Sequence, residues 1–473
     1  TNKSGNPCPV FLAIAISWCA NCQNHLSGRA NYRELDMFHT SKKVSSRRAQ
    51  LGLESLNSRI VPAVVLTTAD LDGDGAADDI RIVGDGQSSK ISFVDNGSSQ
   101  VAVKIDANGD GDYNDTKLGD LDTTFNFTGD SFVLDVQLKG GKDQLIYLGN
   151  AGMNNSARSI TADMGGGKDS FFWIQNNAIT GVSRINIDVV GGFGNDEVSV
   201  DFGNVDHSVV SVEVALGAGA DTYDLTFGEV DEESSVDVHT DLGNGANVHT
   251  VDLDDVGKFD QAAMNMTIVG GAQKDSVTLL IRDDIGNHTK ASHLNVFVDL
   301  LAGNDVFLGQ LQGGDFKLDN NSQASFVVRG GAGNDSLTFE RLGSGIMSID
   351  ANAICLIDMD GGAGNDSVSA DFGGVDAWRI EAGSTLKLRL NGGLGKDVLE
   401  CLLTNNNQTV GNFDVAVRGG AGDDTITFAT NNNGGTPLYG PAGGIILDGG
   451  AGKDILANGN PAITLGTTFE TVL

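Results

Sequence analysis

Carboxylates at regular intervals are the residues of this chain best suited to chemistry, because their spacing matches the needs of a hard cation. An acidic segment places Asp70, Asp72, Asp74 and Asp78 at positions 1, 3, 5 and 9 of one loop. Gly75 fills position 6, where a calcium loop needs a sharp turn. Oxygen ligands at this spacing can surround one calcium ion.

A second acidic segment repeats this spacing 36 residues later. Its candidate ligands are Asp106, Asn108, Asp110 and Asn114. Position 12, the bidentate Glu of an EF-hand, is Arg81 in one loop and Lys117 in the other. The flanking segments have the pattern of strands, so the loops are not EF-hands. They resemble the calcium loops of FG-GAP or dockerin-type modules, which lack that Glu. The resemblance implies Ca²⁺ as the cofactor.

A six-residue glycine-rich loop recurs twelve times from residue 138 onward. Successive copies lie 25 to 31 residues apart, and eleven of the twelve have Gly at the fourth position. The copies end at Asp143, Asp169, Asp196, Asp221, Asn247, Asp275, Asp305, Asp335, Asp366, Asp397, Asp424 and Asp454. Self-similarity at a near-constant period indicates a repeat architecture.

The segment before each loop alternates as a strand with one buried face does. Four residues before the loop, the residue is apolar in all twelve copies: Leu134, Ile160, Ile187, Val212, Val238, Met266, Val296, Phe326, Ile357, Leu388, Val415 and Ile445. One such unit cannot bury its apolar face alone, but stacked units can. We therefore predict an all-β protein, a parallel β-solenoid (β-helix) of about twelve coils of 25–31 residues, with a small N-terminal β region. A sandwich of unrelated strands would not keep the loops in phase.

Stacking would place one Asp above another about every 4.8 Å, where neighbouring charges repel by about 3.5 kcal/mol at an effective dielectric near 20. Either the carboxylates point apart into water, or cations lie between them. Glycine-rich turns would supply carbonyl oxygens as further calcium ligands. The column ligands that we predict are Asp196, Asp221, Asp305, Asp335, Asp366 and Asp424, with the uninterrupted run from Asp305 to Asp366 as the best site. Five other loops have Lys before the last residue, and its ammonium group would partly replace calcium.

The clearest copies of the loop read Gly-Gly-Ala-Gly-Asn-Asp, at 330–335 and 361–366. They resemble the glycine-rich repeat of RTX (hemolysin-type) proteins, G-G-x-G-x-D-x-U-x. The resemblance implies calcium-binding turns in a secreted protein. This chain departs from the RTX pattern because it has one loop per long coil and not nonapeptides in tandem, so a single ion column is implied.

The charge of the chain is uneven. There are 63 acidic and 30 basic side chains, a formal charge of −33, which counts against nucleic-acid binding. No apolar run is long enough for a transmembrane segment. Residues 1–60 differ, with eight basic and three acidic side chains. We therefore expect a basic N-terminal segment at 1–61 (an export signal or upstream sequence), a small β region with the two acidic loops at 62–130, and the solenoid at 131–473.

An Arg-rich stretch in the basic segment is followed by Leu53-Glu54-Ser-Leu56-Asn-Ser-Arg59-Ile-Val-Pro62. It resembles a short N-terminal motif of many large planctomycete proteins thought to be exported. The resemblance implies an extracellular or cell-surface protein. Because the first Met that could start the protein is Met37, residues 1–36 are expected to be upstream sequence.

These features favour a secreted or cell-surface calcium-binding solenoid with a structural or adhesive role. Its partners would be calcium ions and extracellular polysaccharide or surface proteins. The alternative is a β-helix polysaccharide lyase or a related carbohydrate-active enzyme. The candidate catalytic cluster would be Asp237, His239, Asp241 and His249. With seven histidines in the chain such a pair is expected by chance, so an enzyme is not favoured.

Overall fold

The structure is a computed structural model of the chain. It describes residues 64–97, 99–107, 109–113, 120–127, 130–253, 259, 261–282, 291–313, 316–343, 346–373, 377–404, 406–409, 411–431, 444–457, 469 and 471–472. The chain divides into two units between Ser58 and Arg59, and all described residues belong to the second. The N-terminal segment 1–61 and its export-type motif lie outside the described residues.

All regular secondary structure in the described part of the chain is β-strand. The strands of the first half are β1 (Val64–Ala69), β2 (Asp79–Gly84), β3 (Lys90–Asp95), β4 (Gln100–Asp106), β5 (Leu121–Asn126), β6 (Ser131–Gln137), β7 (Gln144–Gly149), β8 (Met153–Asn154), β9 (Ala157–Asp163), β10 (Ser170–Gln175), β11 (Ile179–Thr180), β12 (Arg184–Phe193), β13 (Glu197–Phe202), β14 (Val205–Asp206), β15 (Val209–Ala218), β16 (Thr222–Phe227), β17 (Val230–Asp231), β18 (Ser235–Asp241) and β19 (Val248–Leu253).

The second half of the chain continues the same pattern. Its strands are β20 (Ala263–Val269), β21 (Ser276–Arg282), β22 (His293–Asp299), β23 (Val306–Gln312), β24 (Phe316–Leu318), β25 (Gln323–Ala332), β26 (Ser336–Arg341), β27 (Ile346–Ile349), β28 (Ile354–Ala363), β29 (Ser367–Asp371), β30 (Ala377–Ile380), β31 (Thr385–Leu394), β32 (Val398–Thr404), β33 (Asn406–Thr409), β34 (Asn412–Ala421), β35 (Thr425–Asn431), β36 (Ile445–Ala451), β37 (Ile455–Ala457) and β38 (Thr471–Val472).

Two long sheets carry the architecture. Sheet 1 has 14 strands in the order β1-β2-β6-β9-β12-β15-β18-β20-β22-β25-β28-β31-β34-β36. Sheet 2 has 16 strands in the order β38-β37-β35-β32-β29-β26-β23-β21-β19-β16-β13-β10-β7-β3-β4-β5. Two four-stranded ladders, β8-β11-β14-β17 and β24-β27-β30-β33, add a short third side to part of the coils.

Each coil runs along sheet 1, turns through one glycine-rich loop, runs along sheet 2 and returns to sheet 1. All twelve predicted loops lie at the same corner, between a strand of sheet 1 and the next strand of sheet 2. The parallel β-solenoid predicted from the period is therefore confirmed. The described residues contain no membrane-spanning helix.

The apolar positions before the loops form one continuous row inside the solenoid. Leu134 pairs with Ile160, and this register continues without a slip through ten further strand pairs to Ile445. Residues on either side of this row point outward, as in the pattern of β12, where Ile185, Ile187 and Val189 are buried. Parallel strands in register bury the same face in every coil, which gives a continuous apolar core.

The region 62–130 continues both long sheets. β2 pairs in parallel with β6, and β3 pairs in parallel with β7. The remaining strands are antiparallel: β1 covers the edge of β2, and β4 and β5 cover the edge of β3. At this end, each long sheet therefore finishes in an antiparallel strand, β1 in sheet 1 and β5 in sheet 2. The two acidic loops are the connections β1–β2 and β4–β5 of this cap.

Close approach of successive coils favours glycine at the shared corner, and eleven of the twelve loops have it at the fourth position. Gly333, the fourth residue of its loop, has φ +147°, and a Cβ there would lie 1.3 Å from the carbonyl oxygen of Gly303 in the coil before. At the second position, Gly331 has φ +97°, and its Cβ would lie 2.0 Å from the carbonyl oxygen of Leu301. The repeated glycines are therefore explained by stacking and by backbone conformation.

Candidate functional site

The last residues of the twelve loops stack into one row, which we call the aspartate column. It contains the predicted ligands Asp196, Asp221, Asp305, Asp335, Asp366 and Asp424 together with Asp143, Asp169, Asn247, Asp275, Asp397 and Asp454. All twelve residues of the column are only 0–3% exposed. The alternative in which cation-free carboxylates point into water is therefore wrong, because the column faces the interior of the corner.

A ladder of hydrogen bonds connects the column from end to end. The backbone N–H of each column residue donates to the Oδ1 atom of the column residue in the next coil, and Ser89 donates the first bond to Asp143. The twelve N···O distances are 2.6–3.1 Å. The negative charge of each carboxylate is thus partly compensated by a backbone N–H donor. This is a third way to stabilise the buried charge, in addition to contact with water and binding of a cation.

The backbone at the corner explains why a short carboxylate occurs there. The residue after each column residue donates its N–H to a backbone carbonyl of the previous coil, as Val306 does to Asp275 at 2.9 Å. The N–H of Asp305 itself donates to the next coil, to the side chain of Asp335 at 2.7 Å. A buried backbone N–H needs an acceptor, and here the side chain supplies it.

The second carboxylate oxygen is not compensated in this way. Ten of the eleven aspartates have a buried Oδ2 atom with no hydrogen-bond partner; in Asp275 this atom accepts the N–H of Gly271 at 2.8 Å. Asn247 reveals the surroundings of that position, because its Nδ2 donates to the carbonyl oxygens of Leu242 (2.9 Å) and Gly245 (3.2 Å) and to Oδ1 of Asp275 (3.1 Å). In the Asn247 coil the neighbours of the position are therefore oxygen atoms, which suit a donor or a cation.

Burial also raises the pKa values of ten aspartates of the column. Desolvation is the main cause, and it raises the pKa of Asp143 to about 7 and that of Asp169, Asp221, Asp305 and Asp366 to about 6. The pKa values of Asp196, Asp275, Asp335, Asp397 and Asp424 are raised for the same reason. A cation or a proton at the column would each relieve this cost.

The residues that directly precede the column residues form a second ladder of hydrogen bonds. In this ladder each backbone N–H donates to a side chain of the previous coil, whereas in the column it donates to the next coil. Asn334 donates its N–H to Oδ1 of Asn304 at 2.7 Å, and Asn365 donates to Oδ1 of Asn334 at 2.7 Å. Lys396 continues the series by donating its N–H to Asn365 at 2.9 Å. Asparagine at this position therefore has a backbone-capping role that the loop pattern alone did not indicate.

The first acidic loop brings together a carboxylate set that differs from the predicted one. Oxygen atoms of Asp70, Asp72 and Asp79 lie within 4.8 Å of one another, whereas Asp74 and Asp78 are outside this group. Asp79 was not a predicted ligand. It is buried, and its Oδ2 accepts the N–H of Leu71 (2.6 Å) and of Asp72 (3.0 Å). The sequence feature that could have identified Asp79 is its position directly before the first buried apolar residue of β2.

The second acidic loop has the same internal plan. Asp106 accepts the N–H groups of Asp110 (3.1 Å) and Gly111 (2.7 Å) with its two oxygens. Asp120 corresponds to Asp79, because it accepts the N–H of Ala107 at 2.9 Å and directly precedes β5. The predicted ligands Asn108 and Asn114 lie outside the described residues.

The structure divides the candidate catalytic cluster. His249 is fully buried, stacks on Tyr223 with ring centroids 4.4 Å apart, and its pKa is lowered to about 4 by desolvation. His239 and Asp237 are exposed on the outer face of sheet 1, beside Asn265. The two histidines therefore cannot act on one substrate.

A third set of possible ligands was not predicted. His207 contacts Asp206 and Glu232, and its Nδ1 lies 3.1 Å from Oε2 of Glu232. The hydrogen bond to Asp206 raises the pKa of His207. The group is exposed and is explained as an ion pair between neighbouring coils.

Comparison with known proteins adds no functional assignment. No protein-family model matches the chain, and a search of the curated proteins finds no significant relative. The function is therefore inferred from the geometry of the site.

Proposed function

We propose that this protein is a secreted or cell-surface calcium-binding β-solenoid that serves as a structural and adhesive element. Calcium would bind the ordered turns of the folded rod and not the unfolded chain, so it would stabilise the rod by linkage. Millimolar extracellular calcium suits weak sites of this kind.

The single observation that carries the proposal is the contrast between Asn247 and the aspartates of the column. At Asn247 an amide N–H group fills a position bounded by three oxygen atoms. In ten other coils the same position holds a carboxylate oxygen with no donor. A site built from a buried carboxylate and carbonyl oxygens has the donor chemistry of a calcium site.

The run from Asp305 to Asp366 is the part of the column best suited to calcium. An ideal Cβ at Gly330 would lie 2.7 Å from Oδ2 of Asp335 and 2.6 Å from the carbonyl oxygen of Gly361 in the next coil. Two oxygen atoms from neighbouring coils thus face the same point above a glycine. These loops also have asparagine and not lysine before the column residue.

The first acidic loop is the second proposed calcium site. Asp70, Asp72 and Asp79 contribute three carboxylates, and Asp79 also accepts the N–H of Val133 in β6 at 2.8 Å. An ion there would hold the β1–β2 connection against the first full coil. Calcium would therefore stabilise both the cap and the corner of the solenoid.

Thermal unfolding followed by circular dichroism, with calcium added and then chelated, tests the proposal. We expect calcium to raise the melting temperature and EDTA to reverse the change. In the variants Asp335→Asn and Asp72→Asn, each of which removes one charged ligand, calorimetry should show fewer or weaker calcium sites. An exposed aspartate outside these sites, Asp224, supplies the matched control Asp224→Asn.

An equal calcium response in Asp335→Asn, Asp72→Asn and Asp224→Asn would contradict both sites. A melting temperature that does not change with calcium in the unsubstituted protein would contradict the whole proposal.

A further inference from the structure

A cavity of about 520 Å³ lies at the first end of the aspartate column, beside the cap. Its volume is within the usual range for a small-molecule site, roughly 300–1,000 Å³. It is lined by Ser88, Lys90, Gly109, Lys142, Asp143, Gln144 and Ser170. Strand register holds these residues: Lys90 of β3 pairs with Gln144 of β7, and Gln144 pairs with Ser170 of β10.

The lining concentrates positive charge in a strongly acidic protein. Lys90 and Lys142 are both exposed and both line the cavity. Within the described residues, neither ammonium group forms an ion pair with a carboxylate. The chain has a net charge of −33, yet these two cations are not paired with its carboxylates. They are therefore available to bind an anionic group of a ligand.

The cavity also borders a buried carboxylate. Asp143 is 2% exposed, and its Oδ1 accepts the N–H of Ser89 at 2.7 Å. Its Oδ2 is buried and has no partner. Because this oxygen is buried, the carboxylate acts on a bound ligand through its charge, which disfavours a simple dianion such as sulfate in the cavity.

The remaining groups are hydroxyl and amide side chains. Ser88 accepts the N–H of Lys142 at 2.9 Å through its Oγ, which leaves its own O–H free to donate outward. Ser170 and Gln144 contribute a further hydroxyl and a carboxamide. The lining therefore offers both donors and acceptors to a ligand rich in hydroxyl groups.

We infer that this cavity binds an acidic saccharide, a sugar unit that carries both a carboxylate and hydroxyl groups. Lys90 and Lys142 would bind the uronate carboxylate, and Ser88, Ser170 and Gln144 would bind the hydroxyls. The inference deepens the adhesive part of the proposed function and rests on that part, because the residues that would contact the saccharide lie outside the aspartate column.

Isothermal calorimetry on the full chain tests the inference with cellobiouronate and its neutral counterpart cellobiose, which differ by one carboxylate. We expect cellobiouronate to bind more tightly. Because Lys142→Gln removes one charge-assisted contact, it should weaken binding about tenfold. The matched control is Lys396→Gln, since Lys396 occupies the same loop position far along the column.

Asp143→Asn separates a sugar site from a simple anion site. Asn247 occupies the equivalent position in another coil, so asparagine is compatible with the column. The variant should gain affinity for inorganic sulfate by a larger factor than for cellobiouronate, because sulfate carries two negative charges and cellobiouronate carries one. Equal binding of cellobiose and cellobiouronate, equal losses in Lys142→Gln and Lys396→Gln, or a gain for cellobiouronate in Asp143→Asn as large as that for sulfate would each overturn the inference.

The same samples distinguish this inference from the calcium proposal. If calcium raises the melting temperature but cellobiouronate does not bind, only the saccharide site is overturned. If cellobiouronate binds as expected without any response to calcium, the saccharide site is supported and the calcium proposal is contradicted.

Discussion

At the scale of single residues, buried carboxylates in this protein are compensated in two ways. The column aspartates accept backbone N–H groups. Asp95, near the cap, instead forms a buried ion pair with Arg158, with 2.6 Å between Oδ2 and Nε. The hydroxyl of Tyr147 donates to the same oxygen at 2.5 Å, and the Arg158 guanidinium lies over the ring of Phe127 at 4.8 Å. This group links β3, β7 and β9.

Removing one partner of this ion pair should therefore destabilise the protein strongly. We expect Asp95→Asn to lower the free energy of unfolding by about 3–5 kcal/mol, because it leaves the Arg158 charge buried without its counter-ion. Urea denaturation would measure the change. The double variant Asp95→Asn with Arg158→Met should be less destabilised than Asp95→Asn alone, and an additive loss would contradict this account.

At the scale of the structural element, the corner loop and not the strand sets the coil geometry. The strands differ in sequence, but each loop must pass within van der Waals distance of the loop before it. At the fourth loop position a Cβ would overlap a backbone carbonyl, as at Gly333. Backbone atoms of a stacked coil cannot move aside locally, so glycine is sterically required where the loops approach this closely, and the loop with Gln273 at the fourth position is the exception.

Two glycine-to-alanine variants separate steric overlap from backbone conformation. Gly333→Ala should destabilise the protein by about 3 kcal/mol or more, since it combines an unfavourable φ with overpacking. Gly75 also has a positive φ (+93°), but a Cβ there would have no neighbour within 4 Å. Gly75→Ala should therefore lose only about 1–2 kcal/mol. Thermal unfolding in EDTA would compare them, and equal losses would disprove the stacking argument.

At the scale of the whole molecule, the column makes stability depend on pH. In the folded protein the pKa of Asp143 is raised to about 7 and those of Asp305 and Asp366 to about 6, whereas an unfolded Asp titrates near about 3.9. Between these values the folded chain binds more protons than the unfolded chain. The stabilisation by protonation is complete below the unfolded pKa and is lost as the pH rises through the folded pKa. Calcium would replace the protons at higher pH.

Without divalent ions the protein should therefore be more stable at pH 5 than at pH 8. Urea denaturation in EDTA at the two pH values would measure this difference. The triple variant Asp305→Asn, Asp335→Asn, Asp366→Asn should show a smaller difference, because three titrating groups are gone. A free energy of unfolding that increases from pH 5 to pH 8 in the unsubstituted protein would contradict the prediction.

Much of the fold was predictable because the repeat imposes the same local requirements on every coil. The period, the apolar row from Leu134 to Ile445 and the glycines of the loops all follow from stacking, and the structure confirms the solenoid. The continuation of both sheets into 62–130 was less predictable. The loop before Ser89 takes the place of a further repeat, but it has serine in place of the column aspartate, so no motif marked it.

The sequence by itself determined which residues recur at one corner, because a motif repeated at a near-constant spacing in a stacked chain brings equivalent residues together. Only the tertiary structure decided what the aspartates contact. Their burial and their N–H donors come from adjacent coils 25 to 31 residues away, and so does one of the three oxygen atoms around Asn247. The same holds for the cavity at Lys90 and Lys142, since strand register and not local sequence brings those groups together.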